Sequence, residues 1–128
     1  MTPPLHSLPF VGGVLLLVTL LAMNVTRLRF KVGVRLGDGG VRSLGLAIRA
    51  HGNALEHGLL LSVALVLAEA AGLRTAWVVG FGCAILIARL THAAGFLRLG
   101  HKFAIPAMVA TYGAELSLSL YLVTLALR

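Results

Sequence analysis

The sequence contains a single cysteine, Cys83, among its 128 residues. One thiol forms no intrachain disulfide and supplies too few ligands for a Cys-based metal site. Because Cys83 lies in an apolar run, it is expected to serve as a small packing residue. Charge is scarce as well: 12% of the residues are charged and only four are acidic. With 59% hydrophobic residues and a mean hydropathy of +0.96, that scarcity takes the chain outside the composition of a soluble domain with one core. Also missing is a basic-aromatic stripe on which bases would stack, so the net charge of +7 is not read as a nucleic-acid footprint. Lys and Arg gather instead at the ends of apolar runs, where they meet headgroups and set orientation. No His-x-x-x-His or Glu-x-x-His pair brings three ligands to one face, so no metal site is expected.

What the chain does have is four long apolar segments. A length of 128 residues holds about four spans of roughly 20 residues and leaves nothing for a separate soluble domain. The expected fold is all-α and integral to the membrane: one four-transmembrane-helix bundle over residues 1–128, with spans at about 8–28, 43–71, 75–97 and 103–127. The first span carries no charge from Leu8 to Thr26, nothing basic leads it, and the positive residues follow it; it is expected to be a retained helix rather than a cleaved signal. Arg27, Arg29, Lys31, Arg35 and Arg42, interrupted by Gly37-Asp38-Gly39-Gly40, read as the first connection. Gly72 to Arg74 reads as the second, with Glu69 offsetting Arg74, and Arg98 to Lys102 as the third. Trp77 opens span three near the interface, and Pro106 falls near the start of span four, where a missing N–H costs little. The Lys and Arg bias places the first and third connections in the cytoplasm and both termini outside.

Against this background the polar residues inside the spans stand out, since a charge at the bilayer centre costs about 2.5 to 3.5 kcal/mol and normally faces a bundle interior or a wet cavity. Arg49, Asn53 and Glu56 stand at i, i+4 and i+7 of span two, with Arg42 a heptad upstream, all within roughly 60° of arc. Arg89, His92 and Phe96 share a face of span three, with Gly82 a heptad back where a neighbouring helix can approach. Tyr112, Glu115 and Ser119 share a face of span four. The polar halves of spans two and three lie at one depth, beside the connections assigned to the cytoplasm. Two readings compete for Arg49, Asn53, Glu56 and Arg89: a buried network that fixes helix register, or an anion site, favoured by two arginines beside one carboxylate. His51 and His57 fall on other faces, which suits packing or headgroup contact; His92 shares the Arg89 face. Glu115 reads either as part of a site with Tyr112 or as the neutralising partner of an arginine on a neighbouring helix.

The segment Arg49-Ala50-His51-Gly52-Asn53-Ala54-Leu55-Glu56 resembles the second-helix motif of the MAPEG proteins, membrane-associated proteins in eicosanoid and glutathione metabolism. Thr26-Arg27-Leu28-Arg29, Gly37-Asp38-Gly39-Gly40 and Arg89-Leu90-Thr91-His92-Ala93-Ala94-Gly95-Phe96 are similar to further landmarks, especially of the bacterial branch. The resemblance implies a four-helix protomer that assembles as a homotrimer, with glutathione held between adjacent subunits near the cytoplasmic face. By motif, Arg27 reaches the ligand from the end of span one. Arg49, Asn53 and Glu56 bind its carboxylate and amine, Arg89 joins from span three with His92 on the same face, and Tyr112 contributes from span four. Two departures bear on catalysis. Phe96 stands where many animal members have Tyr, and Ile105, Ala107 and Met108 occupy the region of the fourth-helix arginine that stabilises the glutathione thiolate there. The nearest substitutes, and so the candidate catalytic cations, are Arg27 and Lys102.

The expected function is a glutathione-binding membrane protein, a transferase or peroxidase acting on lipophilic electrophiles that partition into the lipid, in a bacterial inner membrane. Two other classes remain open at this stage. One is a small proton-coupled multidrug exporter with Glu56 as the exchanging acid, disfavoured because Arg49 and Asn53 share the face of Glu56. The other is a non-catalytic assembly partner of another membrane protein.

Overall fold

In lipid the backbone must satisfy its own hydrogen bonds, so apolar segments of this length fold as helices. The computed structural model describes residues 3–127 and contains four of them: α1 (Leu8–Val32), α2 (Arg42–Ala70), α3 (Thr75–Ala94) and α4 (His101–Ala126). A π-helical turn, Gly95–Leu99, continues α3. All four helices are long and apolar enough to cross a membrane. α2 and α3 form the inner pair and each packs against the other three helices, whereas α1 and α4 flank them without close backbone approach to each other.

The spans run longer than the sequence suggested at two of the ends. α1 continues past residue 28 to Val32, so Arg27, Arg29 and Lys31 ride on its last turns and only residues 33–41 form the connection. The helix stops where Gly33 turns left-handed at φ 70°, its N–H donating to the Arg29 carbonyl. Span three runs through the π-helical turn to Leu99, so the third connection shrinks from Arg98–Lys102 to Gly100 alone, which holds φ 89° and ψ 161° between the two helices. Because α4 begins at His101, Pro106 lies within the helix rather than in its first turn, and the Lys102 carbonyl loses its i+4 donor. Cys83 also departs from expectation. It is exposed on the flank of the bundle and does not fill the core.

The core divides by depth. Val14, Leu61, Leu65, Val78, Ile85 and Leu118 interlock all four helices in the half nearer the N-terminus of α1. The other half is packed by Leu21 against Ala50, Ala54 and Ala93, small residues that let α2 and α3 approach closely. Gly82 works as the sequence anticipated: a Cβ there would collide with the ring of Phe10, so α1 crosses α3 at this glycine. At Gly58 a Cβ would lie 2.8 Å from Val14 Cγ1, which fixes the crossing of α1 over α2.

Glu69 has a role that the sequence did not disclose. Its buried carboxylate, 6% exposed, reaches from the end of α2 to the start of α1. There the backbone N–H groups of His6 and Ser7 donate to Oε1 and Oε2 at 2.9 and 2.8 Å, and His6 Nδ1–H donates to Oε1 at 2.9 Å. A helix N-terminus presents N–H groups without intrahelical partners, together with the positive end of the peptide dipoles, and a carboxylate satisfies both. Arg74 is therefore not its partner. Glu69→Ala is expected to lower the stability of the detergent-solubilised protein by about 1 to 3 kcal/mol, the cost of leaving buried donors unpaired. Gly82→Leu should cost a similar amount by overpacking against Phe10; thermal melts of both variants check this.

Candidate functional site

The stripe on α2 divides once its neighbours are in place. Asn53 is half-buried and turned toward α3, whereas Arg49 and Glu56 are exposed on the flank of the bundle. All three line a cleft of about 500 Å³ whose other walls are His92 and Phe96, from α3 and its π-helical turn, and Ile105, Met108 and Tyr112 from α4. The turn is what shapes this side. Gly95 packs so tightly on α4 that a Cβ would come within 3.0 Å of the Ala104 backbone nitrogen, and the His92 and Phe96 rings stack with centroids 5.0 Å apart. Wide π turns within α-helices recur at functional sites.

Arg89 is not in the cleft wall. It lies behind Asn53 with 1% of its surface exposed. Nη1 donates to Asn53 Oδ1 at 2.8 Å, and Nη2 donates to Thr111 Oγ1, whose own hydroxyl donates to the Ala107 carbonyl at 2.7 Å. One guanidinium thereby ties α2, α3 and α4 together at the depth of the cleft. The two readings of the polar groups thus apply to different residues: Arg89 and Asn53 form the register lock. Among the described residues, Arg49 and Glu56 have no side-chain hydrogen bond or ion pair at all. Asn53 belongs to both sets, since its Oδ1 accepts from Arg89 and its Nδ2 remains available to the cleft.

Beside the cleft, His57 Nδ1 and Glu115 Oε1 are 2.6 Å apart, joining α2 to α4. Glu115 thus makes its direct contact with a histidine, while its charge also acts on Arg89 of α3 without touching it. The His57 ring meets Tyr112 edge-on, centroids 5.6 Å apart. Sequence spacing had set His57 aside for packing; its intramembrane position opposite a carboxylate was the available signal, and it lay on a helix whose partner face cannot be read from sequence. Thr111 was missed altogether, since a threonine in a span announces nothing.

The remaining candidates lie elsewhere in the protomer. Arg27 sits on the outer face of α1, where Nη2 donates to Asn24 Oδ1 at 2.9 Å, in a groove shared with Met23 and Phe30. Lys102, in the first turn of α4, holds its ammonium 5.4 Å from the Phe103 ring centre. Neither lines the cleft. Among the described residues no three of His, Cys, Asp and Glu come together as a metal site.

Four membrane-length helices, three of which line a cleft carrying unpaired charge of both signs, define a multi-pass membrane protein with a polar pocket. The MAPEG family model matches residues 7–124, and the chain belongs to that family. It is similar to the inner membrane protein YecN of Escherichia coli K12, and to YecN of Escherichia coli O6:H1, at 37% identity over 102 residues in each case, 79% of this chain and 77% of theirs. No solved structure matches it.

The division of labour between the two arginines is open to measurement. Arg89→Ala removes two charge-assisted hydrogen bonds worth roughly 1.5 kcal/mol or more each, so unfolding of the ligand-free protein should come about 3 kcal/mol sooner. Arg49→Ala, at an exposed and unpaired position, should stay within about 0.5 kcal/mol of the parent.

Proposed function

We propose that the cleft binds glutathione and that the protein is a membrane glutathione transferase or peroxidase acting on lipophilic electrophiles. The observation that carries this reading is the pair Arg49 and Glu56, opposite charges exposed in one cleft inside a membrane span and left without partners by the protomer. Seven residues apart on a helix, they are offset by about 10.5 Å. That spacing suits an elongated zwitterion carrying a carboxylate at one end and an amine with its own carboxylate at the other. Asn53, held by Arg89, supplies an amide donor between them. Ile105, Met108 and Phe96 offer an apolar side on which a lipophilic second substrate can rest.

The same reading assigns a homotrimer. α1 and α4 bury little of their apolar surface within the protomer, and the cleft is open on the flank where another copy would close it. Arg27, remote from the cleft of its own protomer, then reaches the ligand from a neighbour. The protein is assigned to a bacterial inner membrane with the connections 33–41 and Gly100 facing the cytoplasm, in keeping with the Lys and Arg bias at those ends. The exporter reading has less support, because Glu56 shares its cleft with a fixed cation.

Calorimetry and thermal melts with glutathione in detergent test the assignment. The parent protein should bind and be stabilised; Arg49→Leu should weaken binding by about tenfold to a hundredfold, the worth of one charge-assisted contact, without loss of ligand-free stability. Absence of binding at millimolar glutathione would overturn the reading.

A further inference from the structure

Among the described residues the α4 side of the cleft carries Ile105 and Met108 and no cation to hold a thiolate, yet just outside the lining stands a carboxylate–imidazole pair that glutathione recognition does not use. A carboxylate accepts only, so a neutral imidazole at His57 presents Nδ1–H to Glu115 and keeps its lone pair on Nε2. His57 follows Glu56 along α2 and is in ring contact with Tyr112, so the pair adjoins two residues of the cleft lining without itself belonging to that lining. It is also only partly buried, with side-chain exposures of 20% for His57 and 25% for Glu115. An interhelical tie alone would be served by a neutral hydrogen bond; a carboxylate fixing one imidazole nitrogen and leaving the other basic is the arrangement of a general base.

We infer that His57, oriented by Glu115, is the proton acceptor for the thiol of the ligand bound in the cleft. This rests on the glutathione reading and adds the group that activates the nucleophile. The S–H bond breaks, its electron pair stays on sulfur, and the proton moves to His57 Nε2. The hydrogen bond to Glu115 then becomes an imidazolium–carboxylate ion pair. The thiolate attacks the electrophilic carbon of the lipophilic substrate, a halide leaves with the electrons of the broken bond, and the imidazolium returns its proton to water. The other ionisable groups around the pair are Glu56 on α2, Tyr112 on α4, and Arg89 on α3, whose charge acts on Glu115 without touching it. α1 offers none between His6 and Arg27.

The test follows the ultraviolet absorption of the thiolate against pH, with glutathione affinity measured on the same samples, for the parent, His57→Gln, Glu115→Gln and His92→Gln. The expected result is that His57→Gln binds glutathione within about threefold of the parent but shows at least tenfold less thiolate near neutral pH, a displacement of one pH unit or more toward the free thiol. Glu115→Gln should give an intermediate displacement, and neither change should alter the melting temperature enough to explain it. Should His57→Gln fail to fold, His57→Asn and Glu115→Gln carry the same comparison. An unchanged thiolate profile in the His57 variants, or loss of thiolate only in His92→Gln, overturns the assignment while leaving glutathione binding intact. A parent protein that does not bind glutathione overturns both.

Discussion

A buried guanidinium with nowhere to go but its neighbours is the constraint on which this structure depends. Arg89 cannot face lipid, and at 1% exposure it does not reach water, so the helices around it must supply oxygen acceptors. Asn53 and Thr111 do so from either side. Both acceptors are neutral and short and engage only the two terminal nitrogens, Nε having no partner among the described residues, so these contacts favour one register of the three helices. That register sets the depth and spacing of Arg49 and Glu56 along α2, and it turns Asn53 so that one end of its amide is spent inward and the other is left for the cleft. The most buried charge in the protein thus determines where the exposed ones stand.

The three intramembrane carboxylates show how differently one chemical group is used along the same bundle. Glu69 is consumed by backbone donors at the start of α1 and serves architecture. Glu115 is engaged by a single histidine across the α2–α4 seam. Glu56 has no side-chain hydrogen bond or ion pair among the described residues. Exposed in the same cleft as Arg49, it keeps its hydrogen-bonding capacity, whereas the other two carboxylates have spent theirs within the fold.

Much of this could be read from the sequence. The four spans follow from hydropathy alone, and the common face of Arg49, Asn53 and Glu56 follows from helical spacing, as does the approach of another helix at Gly82. The motif of α2 is a mark of the family to which the chain belongs. What stayed hidden depends on which helix lies beside which. Spacing puts Arg89 on the face of His92, but only the packing of α2 and α4 shows that Arg89 turns inward while His92 reaches the cleft. The grip of Glu69 on His6 and Ser7 joins residues more than sixty positions apart, and no local pattern encodes it. Charge does not mark the helix ends, since α1 carries its arginines well past the apolar segment until Gly33 breaks it.

The π-helical turn at Gly95–Leu99 gives the cleft an unusual kind of adjustability. Its width on that side depends on the number of peptide units in the turn, not on the size of any side chain, since Gly95 already presses on the α4 backbone. Substitution can therefore repaint this wall but scarcely move it. A single residue gained or lost between 95 and 99 would rotate everything that follows by about 100°, turning Gly100 and the start of α4 away from α2. Within this architecture the chain length of one turn acts as a ruler for the pocket, while Ile105 and Met108 shape its opposite wall by their side chains alone.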